Sequence, residues 1–218
     1  MDTETLITTF PRLFHVAEAG AWESIKQHGL LSTSALLDVA GLEGSDRHAI
    51  ESERRPAGVT LRGTSFVIRD QKPMSDNKLR RCLEGSGMSP RDWYELLNGL
   101  VFFWLAEDRL RTLLNARSYR DRAHDVLTLD TRSVVTAYAQ QVRLSPINSG
   151  STLFASAPAR GPQTFRSIAD YPFDSWQAKR GTQKAIAEFC VLRKVPDAHL
   201  HTRAVHRMKG AETQYRIY

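Results

Sequence analysis

Cysteine is scarce in this chain of 218 residues, which contains only Cys82 and Cys190. Two cysteines so far apart in the sequence exclude a disulfide scaffold and a cysteine-rich zinc ribbon. An isolated cysteine in an apolar segment packs more often than it reacts. We therefore expect both thiols to be buried and neither to act as a nucleophile.

Long apolar runs are also absent from the sequence. No stretch approaches the roughly 20 apolar residues that a membrane-spanning helix needs. The first residues, MDTETLITTFPRLFHV, lack the basic region and long apolar run of a secretory signal. The sequence thus predicts a soluble, cytoplasmic protein that does not enter a membrane.

Several familiar catalytic motifs are missing. The chain contains neither of the glycine-rich phosphate loops G-x-G-x-x-G and G-x-x-x-x-G-K-[ST], and it also lacks H-E-x-x-H and G-x-S-x-G. Near the C terminus, HLHTRAVH contains His199, His201 and His206. A metal site there would need a carboxylate or thiolate partner that the sequence does not identify. We expect surface histidines, with His199 and His201 on one face of a strand, and no metal.

Arginine supplies most of the positive charge of this chain. Lys and Arg number 30 against 24 Asp and Glu, which gives a net charge of +6, and 23 of the 30 basic residues are arginine. Arginine binds phosphates and carboxylates in a bidentate manner. An anionic partner such as a nucleic acid or a dinucleotide accounts for this bias. GC-rich codon usage accounts for it equally well.

Short apolar runs and helical patterns alternate along the chain, as in an α+β protein. The strand candidates are residues 13–17, 63–70, 101–106, 124–130 and 187–195. The helix candidates are residues 20–31, 32–42, 76–85, 89–100 and 108–119. We expect a polar loop at 43–56 and a long functional loop at 145–181. The prediction is one α+β domain, residues 1–218, with a mixed sheet core, N-terminal helices and long loops.

Three segments carry a resemblance to a known family. They are FHVAEAGAWESIKQHGLLS (14–32), VFFWLAEDRL (101–110) and QKAIAEFCVLRKVPD (183–197). In this order they resemble NAD-dependent ADP-ribosyltransferases, in particular the DarT-type branch that modifies nucleic acid bases. That branch combines a strand histidine, a helix ending in a His-Gly-Leu-Leu-Ser-like string and a central aromatic strand. A late strand then carries Ala-Glu, followed by apolar residues and a Val-Pro pair.

The resemblance implies an ADP-ribosyltransferase-like core, NAD as a substrate and no metal. It implies that His15 and Ser32 bind NAD. Strand alternation puts Phe102 and Trp104 on one face, where they would line the nicotinamide site; Trp104 stands in place of the family's tyrosine. Glu188 would be the catalytic carboxylate, which stabilises positive charge at the ribose and assists the acceptor.

An arginine of this branch holds the dinucleotide phosphates or the leaving group. The candidates are Arg54, Arg55, Arg62 and Arg69. We choose Arg69 as a second catalytic residue, because it follows an apolar strand, where loops often build sites. Each of these arginines is otherwise explained as a solvated surface residue. Asn98 either faces the same cleft or caps its helix, and we favour the second interpretation.

Simpler interpretations of the main site residues stay open. Glu188 lies between apolar residues in IAEFCV, which is unfavourable unless the acid is paired or faces a pocket. It is equally explained as the surface acid of an edge strand. His15 taken alone is explained by packing in its strand, and residues 101–104 by burial in the core.

The acceptor is expected to be a DNA or RNA base. Ile186 stands two residues before Glu188, so the Glu/Gln-x-Glu pair of many protein-modifying relatives is absent. The aromatic loop 154–176 offers rings on which bases could stack. Many such proteins are toxins or phage-defence factors, which implies a possible antitoxin partner.

Two alternatives remain. An RNA 2′-phosphotransferase would need an arginine-histidine phosphate-binding set, but Phe14 precedes His15. A non-enzymatic domain that binds nucleic acid or a partner through the arginine-bearing face 109–122 requires no catalysis at all.

Overall fold

Ten short helices, four of which have side-chain N-caps, accompany the strands in the computed structural model, which describes residues 1–154 and 156–218. The helices are α1 (Thr3–Thr9), α2 (Trp22–His28), α3 (Thr33–Val39), α4 (Gly44–Glu51), α5 (Asp76–Cys82), α6 (Pro90–Asn98), α7 (Glu107–Leu114), α8 (Thr131–Tyr138), α9 (Phe173–Arg180) and α10 (Ala198–His201). Asp2 caps α1 by accepting the Thr5 amide at 2.8 Å, and Ser89 forms a capping box with Asp92 at α6. Within the described ranges, no helix has the length and apolarity needed to cross a membrane.

The strands pair in antiparallel fashion. They are β1 (Arg12–Glu18), β2 (Leu30–Leu31), β3 (Val59–Thr60), β4 (Val67–Ile68), β5 (Leu100–Phe103), β6 (Ala123–Asp130), β7 (Val142–Ser145), β8 (Glu188–Leu192), β9 (Lys194–Val195), β10 (Thr202–Lys209) and β11 (Glu212–Arg216). The larger sheets have the orders β1-β6-β10-β11 and β5-β8-β7, and two small ribbons pair β2 with β9 and β3 with β4. The protein is therefore α+β, as expected, but a mixed sheet is wrong because each described pair is antiparallel.

One backbone bridge joins the two larger sheets. Phe14 of β1 and Trp104, which directly follows β5, exchange two hydrogen bonds: the Phe14 amide lies 2.8 Å from the Trp104 carbonyl, and the Trp104 amide lies 2.9 Å from the Phe14 carbonyl. The apolar core fills the space between the sheets, with Leu127 of β6 and Phe189 of β8 both fully buried. The bridge thus fixes β1 against β5 at one end of that core.

Most apolar runs form the predicted elements. Strands 13–17, 101–106, 124–130 and 187–195 correspond to β1, β5, β6 and β8, with boundaries shifted by a few residues. The strand predicted at 63–70 is wrong in extent, since only Val67 and Ile68 pair with β3. A ribbon of two residue pairs forms few backbone hydrogen bonds. The rest of this segment consists of turns and irregular backbone, which reach the cavity described below.

The predicted polar loop 43–56 is wrong, because Gly44–Glu51 forms α4. This helix has no buried residue, so no apolar periodicity marks it. Arg47 supports it instead, by pairing with Glu51 one turn later and with Asp38 of α3 at 2.7 Å. A helix that is stabilised by charge pairs has no apolar face, so the apolar pattern of the sequence does not predict it.

The predicted loop 145–181 is also interrupted, by α9 and by a short 3₁₀ turn at Pro162–Thr164. The sequence analysis missed α1, α8, β3, β7 and β11, and it placed the C-terminal strand over His199 and His201, whereas β10 begins at Thr202. At α8 the strand passes into a helix without a turn, because Asp130 ends β6 and its side chain accepts the Ser133 amide at 2.8 Å. β11 is exposed at every position, which removes the alternation typical of a half-buried strand.

Gly29 ends α2 in a conformation that only glycine accommodates here. Its φ is +77°, and a Cβ atom would lie 2.4 Å from the Cα of Pro196. Gly181 ends α9 with the same φ of +77° but has no atom within 4 Å of a Cβ among the described residues. We predict that Gly29→Ala destabilises the protein by on the order of 3 kcal/mol, and Gly181→Ala by about 1 kcal/mol.

Urea unfolding of the two variants checks this difference. Backbone strain is common to both sites, so the excess at Gly29 measures the clash with Pro196. Equal losses would contradict the close packing of α2 against the segment after β9.

Candidate active site

A cavity of about 1080 Å³ opens beside the bridge between the sheets. Its wall is formed by β1, α2, the turns after β4, the end of β5, one face of α7 and the loop after β7. The six residues predicted as catalytic or NAD-binding all line it: His15, Ser32, Arg69, Phe102, Trp104 and Glu188. Segments that are far apart in the sequence therefore meet around one space.

His15 is held in one tautomer by the backbone of β5. Its Nδ1 lies 2.9 Å from the Phe102 carbonyl oxygen, which can only accept, so Nδ1 carries the proton. Burial lowers the pKa of His15 to about 4, and the nearby Arg69 cation acts in the same direction. At neutral pH the ring is therefore uncharged, and Nε2 is a hydrogen-bond acceptor.

The aromatic side chains of β5 alternate as expected. Phe102 and Trp104 are half-buried, whereas Val101, Phe103 and Leu105 are buried. Phe102 meets the ring of Phe165 edge-on at 6.3 Å. The cavity-lining pair therefore presents apolar surface suited to a flat ring.

Ser32 has a structural role besides its place in the cavity wall. It is the N-cap of α3, where its hydroxyl accepts the Ala35 amide at 3.2 Å, and it is buried. Its own amide donates to the Arg193 carbonyl at 2.8 Å. The hydroxyl proton is still available to a ligand.

Arg69 belongs to a charged cluster at the cavity wall. Its Nη1 donates to the Val16 carbonyl at 3.1 Å, its Nε lies 3.5 Å from Glu18, and its guanidinium covers the ring of Tyr119 at 5.2 Å. Burial lowers the pKa of Arg69. Arg122 donates to both oxygens of Glu18, at 2.9 and 3.0 Å, which leaves Arg69 less tightly bound to that carboxylate.

The other arginine candidates do not serve the cavity in the same way. Arg55 is buried, and its guanidinium is taken up by the Ile50 and Arg69 carbonyls and by Asn98. Burial lowers the pKa of Arg55 to about 10. Asn98 joins this group to the Glu51 carbonyl at 2.6 Å, so it fastens α4 to α6. Arg54 and Arg62 are not part of the cavity wall.

Glu188 opens β8 opposite Ser145 of β7. It is a pocket acid rather than the exposed acid of an edge strand, with 5% of its surface accessible. Its Oε1 accepts the Ser149 amide at 3.1 Å. Oε2 is buried and has no hydrogen-bond partner in residues 1–154 or 156–218.

Burial raises the pKa of Glu188 to about 7. Hydrogen bonding by Ser149 opposes this effect, as do the positive charges of Arg160 and Arg109. The carboxyl therefore changes protonation near neutral pH, which suits a group that must stabilise charge and also take a proton.

The C-terminal histidines differ from the prediction. His199 and His201 lie in α10 and not on a strand. His201 is buried, with Nδ1 2.6 Å from the Ser133 hydroxyl and Nε2 3.2 Å from Asp197, so it is not a surface residue. The described part of the chain holds no group of three His, Cys, Asp or Glu residues placed for a metal ion.

Both cysteines are free and buried, as expected. The aromatic loop 154–176, in contrast, sends most of its rings inward. Tyr171 and Phe173 lie in the core, and Phe165 stacks on Trp93 at 6.0 Å. Phe154 is 75% exposed at the cavity mouth, so it is the ring of this loop best placed to meet a ligand.

The sequence analysis missed Arg109, Tyr119 and Ser149 as cavity residues. Arg109 faces the cavity on the same side of α7 as Thr112 and Leu113, at helical spacing. Its guanidinium makes no ion pair or hydrogen bond with any other described residue. The helical pattern of 108–119 could have located Arg109, but nothing in the sequence marks Ser149, whose role comes from its backbone amide.

Together these features define an α+β protein with a cavity that contains a neutral histidine, a buried carboxylate and an arginine without a partner among the described residues. Residues 11–202 match the family of unknown function DUF7002, and the chain belongs to that family. No curated protein matches the chain.

The raised pKa of Glu188 has a consequence for stability. The folded protein binds this proton more tightly than the unfolded chain, so stability is lost as pH rises from about 4.5 through about 7. Glutamine at this position does not titrate. We predict that Glu188→Gln is more stable than the parent protein at pH 8 by on the order of 3 kcal/mol, with a much smaller difference at pH 5.

Urea unfolding at both pH values measures this, with Glu212→Gln on the exposed strand β11 as the matched control. A gain that is the same at pH 5 and pH 8 would show that the folded protein does not hold Glu188 as a buried acid.

Proposed function

We propose that this protein is an NAD-dependent ADP-ribosyltransferase that modifies a nucleic acid base. The observation that carries the proposal is the meeting of His15, Trp104 and Glu188 around one cavity, since each was predicted from a separate segment. The three side chains come from β1, from the residue after β5 and from β8, which are distant in the sequence and meet at this cavity.

The fold supports the proposal. Two antiparallel sheets, joined where β1 meets the end of β5, are an arrangement suited to an ADP-ribosyltransferase-like core. On this interpretation β1 supplies the histidine, β5 the aromatic wall and β8 the carboxylate. The long segment between β7 and β8 then borders the acceptor side of the cavity.

Residues of the cavity wall would hold NAD by complementary chemistry. The acceptor Nε2 of His15 would receive a ribose hydroxyl, and Ser32 would donate its hydroxyl proton. Arg69 would meet the phosphates, because a guanidinium is matched to them. Phe102 and Trp104 would contact the flat nicotinamide ring.

The chemistry would centre on Glu188. The bond from nicotinamide to C1′ of the ribose breaks, and its electron pair leaves with nicotinamide. The ionised carboxylate stabilises the positive charge that develops on the ribose. A nucleophilic atom of the base then bonds to C1′, and its proton passes to Glu188.

A nucleic acid acceptor is supported by two features of the cavity mouth. Arg109 offers a guanidinium with no partner among the described residues, which suits a phosphate of the strand. Phe154 offers an exposed ring on which a base can stack. Residue 186 is an isoleucine, so no second carboxylate lies two residues before Glu188 to activate a protein arginine.

Release of nicotinamide from NAD in the presence of mixed oligonucleotides tests the proposal. We expect Glu188→Gln to lower the rate by at least about 100-fold, because the ionised group stabilises the transition state directly. The parent rate should rise with pH and level off above a midpoint near 7, where the pKa of Glu188 lies.

Glu212→Gln is the control and should keep the parent rate. Oligonucleotide binding without nicotinamide release, equal in the parent and in Glu188→Gln, would replace the proposal by a non-enzymatic nucleic-acid-binding domain.

The acceptor side of the cavity makes a second prediction. Arg109→Ala should raise the KM for an oligonucleotide by about tenfold and reduce the salt dependence of its binding by about one charge. Arg111→Ala is the matched control, since Arg111 lies on the same helix but pairs with Glu107 at 2.8 Å outside the cavity. Equal effects of the two substitutions would mean that only the general basic charge attracts nucleic acid.

A further inference from the structure

Arg160 is a buried cation with backbone partners. It is 4% exposed, and none of the described carboxylates forms an ion pair with it. Its guanidinium donates to the carbonyls of Pro158 at 2.7 Å, Asn148 at 3.3 Å, Ser149 at 3.4 Å and Ser151. One side chain thus binds backbone carbonyls near both ends of the Arg160 segment, which we define as residues 148–154 and 156–160.

The segment held by Arg160 is the one that contacts Glu188. The Ser149 amide donates to Glu188 Oε1 at 3.1 Å, while the Ser149 carbonyl faces the Arg160 guanidinium. A single peptide segment therefore connects the two side chains. Because Arg160 binds the carbonyl oxygens of this segment, it sets the direction in which the Ser149 amide points.

The segment is also fastened to the rest of the protein. The Arg160 amide donates to the Cys82 carbonyl at 2.7 Å, and the Thr152 amide donates to the Pro73 carbonyl at 2.9 Å. The Ser75 amide donates to the Thr152 hydroxyl at 2.9 Å. These contacts tie the loop to α5 and its N-terminal turn, so that Arg160 acts from a fixed position.

We propose that Arg160 is a positioning residue, which aims the Ser149 amide at Glu188 and supplies the buried positive charge that favours its carboxylate form. This role rests on the proposed function for its catalytic meaning, but the effect on Glu188 exists whether or not NAD is the substrate. Burial of an arginine is costly unless its donors are satisfied, and four carbonyls accept from the guanidinium here, with at least one on each of its nitrogens. Its charge remains uncompensated at close range, which leaves it available to Glu188.

Two other titratable side chains of the described residues act on Glu188 or lie close to it. Arg109 on α7 also favours the ionised form, and Cys190, two residues along β8, is a buried thiol with a raised pKa. Arg160 differs from Arg109 in acting in two ways, through its charge and through the Ser149 amide. Removal of Arg160 should therefore make ionisation of Glu188 harder.

The test is a carbon-13 NMR titration of the Glu188 carboxyl, assigned by its loss in Glu188→Gln. The parent midpoint is expected near pH 7. Arg160→Ala should raise it by about one pH unit, the shift that corresponds to one lost charged hydrogen bond. Arg160→Lys keeps the charge but loses the forked donor geometry, so it should raise the midpoint by about half a unit.

Arg216→Ala is the matched control, because Arg216 also donates to a backbone carbonyl, that of Tyr218, but lies on β11 in the other larger sheet. Its midpoint should equal that of the parent. A folded Arg160→Ala variant with an unchanged Glu188 midpoint overturns the proposal. If the alanine variant does not fold, an unchanged midpoint in Arg160→Lys overturns it.

Nicotinamide release across pH separates this inference from the proposed function. If the protein is a transferase, the acid side of its rate profile should move by the same amount as the NMR midpoint. A moved NMR midpoint in a protein that releases no nicotinamide supports the role of Arg160 and removes the transferase proposal.

Discussion

The backbone bridge between Phe14 and Trp104 is the contact on which the site depends. It joins the two larger sheets through their backbones, and its two hydrogen bonds fix the register between β1 and β5. His15 follows Phe14 directly, so the bridge places its ring beside the Phe102 carbonyl. That carbonyl decides the tautomer, and the tautomer decides which nitrogen faces a ligand.

Burial of Glu188 is the second constraint, and it works against stability. A carboxylate with one amide donor, and with no partner for its other oxygen among the residues that the structure describes, is unfavourable inside a protein. A residue of this kind indicates a functional site, since a glutamine would serve the fold better. The Arg160 segment partly offsets the free-energy cost of burying the Glu188 carboxylate. Glu188 therefore exists in both its protonated and its ionised form near neutral pH.

The resemblance to a known family brought His15, Trp104 and Glu188 together as one set, and all three line the same cavity. The residue pattern alone marks only Glu188, as an acid within a short apolar run. Alternation along β5 also predicted which aromatic residues share a face. Their arrangement around one cavity follows from pairing between distant strands, which a single sequence specifies only weakly.

Other parts could not be predicted from the same reasoning. Helix α4 is stabilised by charge pairs of Arg47, and so it has no apolar period. Ser149 acts through its amide, which every residue except proline possesses. Arg160 is one arginine among 23, and only its carbonyl partners distinguish it. Function that depends on backbone groups leaves no mark in the residue types.

Calorimetric titration of NAD into the purified protein tests the central claim most directly. The account predicts saturable binding at one site, weakened by about tenfold in His15→Ala because one buried hydrogen bond is lost. His199→Ala, which alters an exposed histidine of α10, should bind as the parent does. Absence of binding up to about millimolar NAD, an affinity worth only some 4 kcal/mol, would contradict the assignment of this cavity to NAD.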